Sequence, residues 1–186
     1  MQVETTHLPG VLIITPRVFR DPRGFFLESY NYEAFRSQGL DTLFVQDNHS
    51  KSSRSTLRGL HFQLEPAGQV KLVRVTRGAI WDVAVDIRVG SPTFGRWCGV
   101  ELTAENFRQL YIPIGFAHGF CVLSDEAEVL YKASHVYNAS LERGIRWNDP
   151  DLNVDWPVRD PLLSDRDRHA PTLAGYLAGT PFEYVP

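Results

Sequence analysis

Hydrophobic residues along the chain occur in short runs that alternate with polar residues and are separated by turn residues. The runs are rich in β-branched and aromatic side chains, and chain-reversing combinations such as Asp21-Pro22-Arg23-Gly24 connect them. This pattern predicts an all-β sandwich or barrel. The predicted strands cover residues 11–15, 24–30, 43–49, 57–63, 70–76, 79–87, 97–102, 109–112, 117–123 and 128–135.

Helices are predicted to be few and short. One begins after Asn31, which suits an N-cap, and ends at Gly39. Beyond Asn148 the chain is rich in proline and aspartate, and we expect it to wrap around the barrel as loops and short turns. The chain has no internal repeat, and its 186 residues, 43% of them hydrophobic, suit one domain over residues 1–186.

The charge pattern narrows the possible partners. The net charge is -3 and no block of like charges occurs, so the chain lacks the features of a protein that binds nucleic acid or an anionic membrane. No apolar run is long enough to cross a bilayer and no leader pattern opens the chain, so we expect a cytoplasmic protein. Cys98 and Cys121 stand alone in apolar runs, which predicts two buried thiols.

The predicted strand over residues 79–87 carries two carboxylates on one face. Side chains alternate along a strand, so Asp82 and Asp86 point the same way, together with Ile80 and Ala84. This face is either solvated or lines a polar barrel interior, and the strand alone does not decide between them.

The predicted strand over residues 57–63 contains a candidate for proton transfer. The same alternation places Arg58 on one face and His61 on the other, beside Gly59 and Gln63. A single strand histidine is more often structural than catalytic, so His61 needs support from elsewhere in the chain.

That support comes from the segment Pro113-Ile114-Gly115-Phe116-Ala117-His118, which matches the Pro-x-Gly-x-x-His pattern of the second cupin motif. The match indicates a cupin-like jelly roll with a core over about residues 40–140, on which N-terminal strands and C-terminal loops and short helices pack.

The first cupin motif is altered at its metal ligands. Its His-x-His pair is replaced by His61-Phe62-Gln63, and Lys71 occupies the ligand position seven residues before Gly78, where the motif has a glutamate. A lysine ammonium cannot ligate a metal and would repel one, which predicts a pocket without a metal. Lys71 is then free to face an anion, either a substrate phosphate or a developing enolate oxygen.

Several further motifs occur in one order along nearly the whole chain, and together they resemble the dTDP-4-dehydrorhamnose 3,5-epimerase family. The resemblance implies a dimeric jelly roll that acts on a thymidine-diphosphate-linked 4-keto-6-deoxyhexose and needs no cofactor. The motifs that carry it are Phe44-Val45-Gln46-Asp47-Asn48-His49-Ser50, Leu57-Arg58-Gly59-Leu60-His61-Phe62-Gln63, Lys71-Leu72-Val73-Arg74, Ser91-Pro92-Thr93-Phe94-Gly95, the segment 112–120, Leu130-Tyr131-Lys132, Trp147-Asn148-Asp149-Pro150 and Leu163-Ser164-Asp165-Arg166-Asp167.

The chemistry of such a substrate explains the residue types. A ketone at carbon 4 acidifies the protons on carbons 3 and 5, so a base and an acid on opposite sides of the ring can invert both centres. The resemblance assigns the base to His61, its carboxylate partner to Asp167, the acid to Tyr131 and charge stabilisation to Lys71, with help from Arg58. Asp167 could instead complete a capping box with Ser164, and Tyr131 could be a core aromatic.

The resemblance also implies the residues that bind the substrate. Arginines would hold the diphosphate, Tyr137 would stack on the thymine, and Arg23 and Glu28 would act across the dimer interface. The full set is Arg23, Glu28, Gln46, Asp47, Asn48, Arg58, His118, Tyr137, Glu142 and Arg166.

Three other functions remain open at this stage. A mono-epimerase would invert only carbon 3 or only carbon 5 with the same motifs. A metal-dependent cupin would need three or four converging ligands, whereas only His61 and His118 occupy cupin ligand positions. A non-catalytic sugar-nucleotide binding module would bind the ligand without exchanging protons.

Overall fold

Two antiparallel sheets pack face to face in the structure, a computed structural model that describes residues 1–185. The strands are β1 (Gln2–Thr5), β2 (Leu12–Thr15), β3 (Val18–Asp21), β4 (Gly24–Leu27), β5 (Gln46–Ser53), β6 (Leu57–Gln63), β7 (Lys71–Arg77), β8 (Ala79–Asp86), β9 (Arg88–Val89), β10 (Trp97–Thr103), β11 (Gln109–Ile112), β12 (Phe116–Val122), β13 (Glu126–Ala133), β14 (Glu142–Gly144) and β15 (Phe182–Glu183). The helices are α1 (Tyr32–Arg36), α2 (Asp165–Arg168) and α3 (Leu173–Leu177).

The sheets have the crossed connections of a jelly roll, which confirms the predicted fold class. One sheet has the strand order β1-β2-β11-β7-β13-β5, and the other has the order β10-β8-β12-β6-β14. Strands β3 and β4 form a separate two-stranded ribbon, and β9 pairs in parallel with β15 near the C-terminus. None of the helices in residues 1–185 combines the length and apolar character that crossing a membrane requires.

Every predicted run contains a strand, but several bounds were wrong: β13 covers Glu126–Ala133 rather than 128–135, and β4 and β5 differ by three or more residues. Strand β4 ends at Leu27 rather than at residue 30, because Tyr30 turns inward to pack edge-on against Phe35 and Phe44. Strand β5 begins at Gln46 and continues to residue 53, so the polar second half of this strand was missed. Alternation of hydrophobic residues does not mark such a strand, because its inward-facing side chains line a polar cavity.

Helix α1 follows the predicted capping. The Asn31 side chain accepts a hydrogen bond from the backbone N–H of Ala34 at 3.2 Å, and the helix ends before Gly39, whose positive φ of 81° reverses the chain. Phe35 anchors the helix by packing with Leu72 and other apolar residues on the outer face of the six-stranded sheet.

Strand β8 is buried on both faces, which resolves the question about its carboxylates. Its inner face contributes Ile80 and Ala84 to the apolar cluster between the sheets, and its outer face is covered by C-terminal side chains such as Trp156 and Tyr176. Asp82 and Asp86, both 0% exposed, therefore point into the barrel interior rather than into solvent. The solvated alternative is excluded.

Candidate active site

An irregularity in β6 brings two predicted site residues onto the same face. In the pairing of β6 with β12, His118 lies opposite His61 and Phe120 lies opposite Arg58, so two residues of β6 face one of β12. This bulge flips the alternation, and the prediction that Arg58 and His61 point to opposite faces was wrong. Gly59, with φ of +125°, is the residue that allows the close approach of the strands.

The cavity that results lies between the two sheets and has a volume of about 470 Å³. The five-stranded sheet contributes His61 and His118, and the six-stranded sheet contributes Lys71 and Tyr131. His61 and Tyr131 thus come from facing walls of the cavity. A ring bound between these walls would meet a different functional group on each side.

His61 is paired with Asp167 of α2, as the sequence predicted. The Nε2 atom of His61 lies 2.5 Å from Oδ1 of Asp167, and the carboxylate is almost fully buried. Burial lowers the pKa of His61 and outweighs the opposing effect of Asp167. Burial alone would raise the pKa of Asp167, but hydrogen bonds from His61 and Ser164 bring it below the usual value. The lowered pKa values of both groups favour a neutral imidazole beside an ionised carboxylate.

The predicted competition between capping and pairing at Asp167 does not arise. The side chain of Ser164 accepts a hydrogen bond from the backbone N–H of Asp167 at 3.1 Å and thereby caps α2. The carboxylate of Asp167 remains available to His61. Helix α2 therefore starts at the position that directs Asp167 toward β6.

Lys71 lies at the start of β7 with its side chain in the cavity, 9% exposed. Burial lowers its pKa to about 8, while the nearby carboxylates of Glu142 and Asp82 oppose the loss of the proton. Its Nζ is 6.0 Å from the ring centroid of Tyr131. A buried ammonium at this point is suited to stabilise negative charge that forms in the cavity.

Tyr131 packs against the inner apolar cluster while its ring borders the cavity. Burial raises the pKa of its hydroxyl, Arg58 and Arg166 lower it, and Glu142 adds to the increase. The phenol is therefore protonated at neutral pH and available as a proton donor. The two alternatives for Tyr131 are compatible, because it is both a packed aromatic and a cavity residue.

One rim of the cavity, where it adjoins a second pocket that shares Lys71, Tyr131 and Glu142 with it, consists of linked polar side chains. The hydroxyl of Tyr137 donates to Glu142 at 2.6 Å, and Arg166 forms an ion pair with the same carboxylate at 2.7 Å. Gln46 donates to Asn48 at 3.0 Å and accepts from the backbone N–H of Tyr137 at 2.8 Å. These five predicted binding residues form one continuous group, which the exposed residue Tyr137 joins at its centre.

Arg58 and His118 border the central part of the cavity. The Nε atom of Arg58 donates to the hydroxyl of Ser52 at 3.0 Å, and Nε2 of His118 lies 2.7 Å from Oδ1 of Asp82. Neither partner was predicted as a site residue. The alternation on β8 identified the face of Asp82, but only the pairing of β8 with β12 places its carboxylate beside His118.

Three predicted binding residues border neither this cavity nor the adjoining pocket. Asp47 alternates with Gln46 and Asn48 along β5, so its side chain lies on the other face of the sheet, where it pairs with Lys132 at 2.8 Å. Arg23, 90% exposed, lies on the β3–β4 ribbon and pairs with Asp21. Glu28 follows the ribbon and accepts a hydrogen bond from Asn31 at 3.2 Å.

The described residues, 1–185, contain no group of three or more histidine, cysteine, aspartate or glutamate side chains placed to hold a metal. His61 and His118 lie side by side, but each is bound to its own carboxylate, Asp167 and Asp82 respectively. Lys71, which takes the sequence position of the cupin glutamate ligand, also borders the cavity.

The jelly roll places a neutral histidine, a protonated tyrosine and a buried lysine around one cavity. These features define a class of cupin-like protein that transfers protons next to a stabilised anion. The comparisons with known proteins agree with this class. The family model described as dTDP-4-dehydrorhamnose 3,5-epimerase matches residues 5–175. The chain belongs to this family.

Individual relatives cover most of the chain. The dTDP-4-dehydrorhamnose 3,5-epimerase of Shigella flexneri is 60% identical over 168 residues, which are 90% of this chain and 93% of the relative. The crystal structure of dTDP-6-deoxy-D-glucose-3,5-epimerase from Legionella pneumophila, in complex with dTDP-4-keto-L-rhamnose, is 44% identical, covers 100% of this chain and 99% of its own, and has a TM-score of 0.96. The dTDP-4-dehydrorhamnose 3-epimerase of Streptomyces niveus is 44% identical over 94% of this chain and 84% of its own.

Proposed function

We propose that the chain is an isomerase that epimerises dTDP-4-dehydro-6-deoxy-D-glucose at carbons 3 and 5 to give dTDP-4-dehydro-L-rhamnose, without a cofactor. The observation that carries the proposal is the position of His61 and Tyr131 on facing walls of one cavity, with Lys71 on the same wall as Tyr131 and 6.0 Å from the centre of its ring. The names of the relatives supply the substrate class, because the Shigella and Legionella proteins are 3,5-epimerases.

The first chemical step is proton abstraction by His61. A neutral imidazole that donates its Nε2 proton to Asp167 keeps a lone pair on Nδ1, which accepts the proton from the carbon beside the ketone. The electron pair of the broken C–H bond moves to the ketone oxygen and forms an enolate. Asp167 then stabilises the imidazolium, since its carboxylate is buried and ionised.

The enolate oxygen needs a positive neighbour. Lys71 supplies a buried ammonium, and a charge in a cavity with little solvent is not screened as it would be in water. Arg58, which extends from the opposite sheet, is a second cation that borders the cavity.

The second step is protonation from the opposite face. Tyr131 projects from the other sheet, so a proton delivered by its hydroxyl arrives on the face of the ring that His61 does not reach. The carbon is thereby inverted. Exchange with solvent then removes the extra proton from the imidazolium of His61 and returns a proton to the phenolate of Tyr131. The same geometry serves the second carbon when the ring presents it to His61.

The nucleotide end of the substrate is assigned to the polar rim. The exposed ring of Tyr137 offers a stacking surface, and Gln46 offers hydrogen bonds to the thymine. Arg58 and Arg166 are the cations nearest to a diphosphate that leads from this rim into the cavity.

Part of the binding site would come from a second copy of the chain. The β3–β4 ribbon exposes Phe19, Phe25 and Phe26, which are 49%, 55% and 68% exposed, and such a group of aromatic residues favours an interface. Arg23 and Glu28 lie on this ribbon or just after it, outside the cavity of their own chain. We assign both residues to the cavity of the partner in a homodimer.

The reaction is tested by incubating the protein with dTDP-4-keto-6-deoxyglucose in deuterated water and following carbons 3 and 5 by NMR. Deuterium at both carbons is the expected result. Deuterium at carbon 3 alone would instead match the activity in the name of the Streptomyces relative, and make the chain a mono-epimerase. Binding of the nucleotide without any exchange would overturn the proposal in favour of a binding module.

The dimer is tested by subunit complementation. Arg23→Ala and His61→Asn homodimers are each expected to be weakly active or inactive. Mixed dimers would contain one intact site, made from His61 of the Arg23→Ala chain and Arg23 of the other chain. Recovery of activity on mixing supports the shared site, and no recovery in verified mixed dimers contradicts it.

A further inference from the structure

The guanidinium of Arg58 is held by a serine that does not itself border the cavity. Ser52 of β5 is 7% exposed, and its hydroxyl accepts a hydrogen bond from Nε of Arg58 at 3.0 Å. Arg58 extends from β6 of the five-stranded sheet, so this contact joins the two sheets beside the cavity. Because Arg58 is exposed, its long side chain would be free to turn into solvent without such a contact.

The hydroxyl of Ser52 is not explained by packing. In the pairing of β5 with β13, Ser52 lies opposite Ala127, which belongs to the apolar cluster between the sheets. Burying a hydroxyl on such a face destabilises the folded state unless the hydroxyl forms a hydrogen bond. Among residues 1–185, the partner of this hydroxyl is Arg58. The contact with Arg58 therefore accounts for a polar side chain at this position.

The contacts with β5 use one edge of the guanidinium and leave another edge free. Nε of Arg58 donates to Ser52, and Nη2 on the same edge lies 3.5 Å from the backbone carbonyl oxygen of Lys51, a longer contact. A guanidinium presents its N–H donors in a fixed, planar fork. The edge formed by Nη1 and the second N–H of Nη2 remains available. Such an edge matches two oxygens of a phosphate group.

The partners of Arg58 are neutral, which preserves its charge for a ligand. Arg166, by contrast, forms an ion pair with Glu142 at 2.7 Å, so its charge is partly offset before any ligand binds. Within the part of the chain that the structure describes, Arg58 contacts a hydroxyl and a backbone carbonyl rather than a carboxylate. Ser52 thus fixes the direction of the guanidinium without neutralising it, and an anion in the cavity meets the full charge.

We propose that Ser52 is a positioning residue for substrate binding. It holds the Nε edge of Arg58 against β5, so that the free edge faces the cavity and binds the diphosphate of the substrate. The identity of this anion rests on the proposed function, whereas the contact between Ser52 and Arg58 is measurable without any ligand.

The contact is tested by NMR in protein labelled on the arginine side chains, with the Nε–H signal of Arg58 assigned by its loss in Arg58→Met. Ser52→Thr keeps the hydroxyl and Ser52→Val removes it, while the two new side chains have nearly the same shape. We expect the Nε proton to exchange with water about tenfold faster in Ser52→Val than in Ser52→Thr. Equal exchange rates in the two folded variants overturn the proposal.

The consequence for binding is tested by calorimetric titration with dTDP. Affinity should fall by about tenfold in Ser52→Val and stay near the unmodified value in Ser52→Thr. Ser53→Ala is the matched control, because this exposed serine lies on the other face of β5, and it should bind dTDP normally. Ser52→Val combined with Arg58→Met should bind no more weakly than Arg58→Met alone, because Ser52 acts through Arg58. A further loss in the double variant contradicts the proposal.

Failure of the proposed function can be told apart from failure of this inference. If the unmodified protein binds dTDP but exchanges no deuterium at carbons 3 and 5, the proposed function fails, and the binding comparison still decides the role of Ser52. If the larger side chains at position 52 prevent folding, Ser52→Ala is compared with Ser53→Ala. Faster exchange of the Arg58 Nε proton in Ser52→Ala alone supports the proposal, and equal rates contradict it.

Discussion

The imidazole of His61 and the carboxylate of Asp167 lie 2.5 Å apart although 106 positions separate them in the chain. The contact joins β6 of the barrel to the short helix α2 near the C-terminus. It makes the C-terminal segment part of the active site as well as a cover for the barrel. The geometry also sets the tautomer of His61, because the ring nitrogen that faces Asp167 must carry the proton.

Replacing Asp167 by asparagine removes the charge that stabilises the imidazolium and allows the wrong tautomer. We expect deuterium exchange to slow by on the order of 10²–10⁴-fold, with little change in affinity for dTDP. Exchange kinetics and calorimetric titration of dTDP measure the two effects. Asp165→Asn is the matched control, because this exposed carboxylate of the same helix does not border the cavity. Equal rates in both variants would contradict the role of Asp167.

Tyr131→Phe keeps the ring that packs against the inner cluster but removes the proton donor. Formation of the epimerised product should fall by about 10²–10⁴-fold, while the melting temperature stays near that of the unmodified protein. Product formation followed by NMR gives the first quantity, and calorimetry gives the second. Undiminished product formation would assign the acid to another group.

The dependence of activity on pH should be bell-shaped. His61 must be neutral to accept a proton, and burial lowers its pKa, so kcat/KM should rise through a midpoint below the ordinary histidine value of about 6.5. Lys71 must be protonated, and its pKa of about 8 predicts a fall above that pH. The raised pKa of Tyr131 places its ionisation above this range. A flat profile between pH 6 and pH 9, roughly the range of the two groups, would contradict these assignments.

The sequence was a sufficient guide to the strands and to most cavity residues, but not to the packing between them. The places of Lys71 and Tyr131 at the cavity followed from the cupin comparison and the family resemblance. Alternation predicted the shared face of Asp82 and Asp86 correctly, because β8 pairs regularly with both of its neighbours. It failed at Arg58, because a bulge depends on the partner strand and leaves no signal in the hydrophobic pattern of β6. The partner of His118 was missed for the same reason, since Asp82 reaches it only through strand pairing.

Gly59 is the residue on which this bulge depends. A methyl group there would lie 2.5 Å from the Cα of Gly119 and 2.7 Å from the carbonyl oxygen of His118, at a φ of +125°. We expect Gly59→Ala to lower the free energy of unfolding by about 3–5 kcal/mol, from overpacking and backbone strain together.

Gly90 offers a control for the backbone strain alone, because it has a φ of +86° and no atom within 4 Å of the added methyl group. Gly90→Ala should therefore lower the free energy of unfolding by only about 1–3 kcal/mol. Urea denaturation of both variants measures the difference, and equal losses would show that the contact with β12 is not tight.

The most direct test of the active site compares the unmodified protein with His61→Asn in deuterated water, using dTDP-4-keto-6-deoxyglucose and NMR at carbons 3 and 5. His61 as the base predicts that exchange at both carbons falls by about 10³-fold or more, while the variant still binds dTDP with unchanged affinity. Substantial exchange at either carbon in the variant would contradict the assignment of His61 as the base.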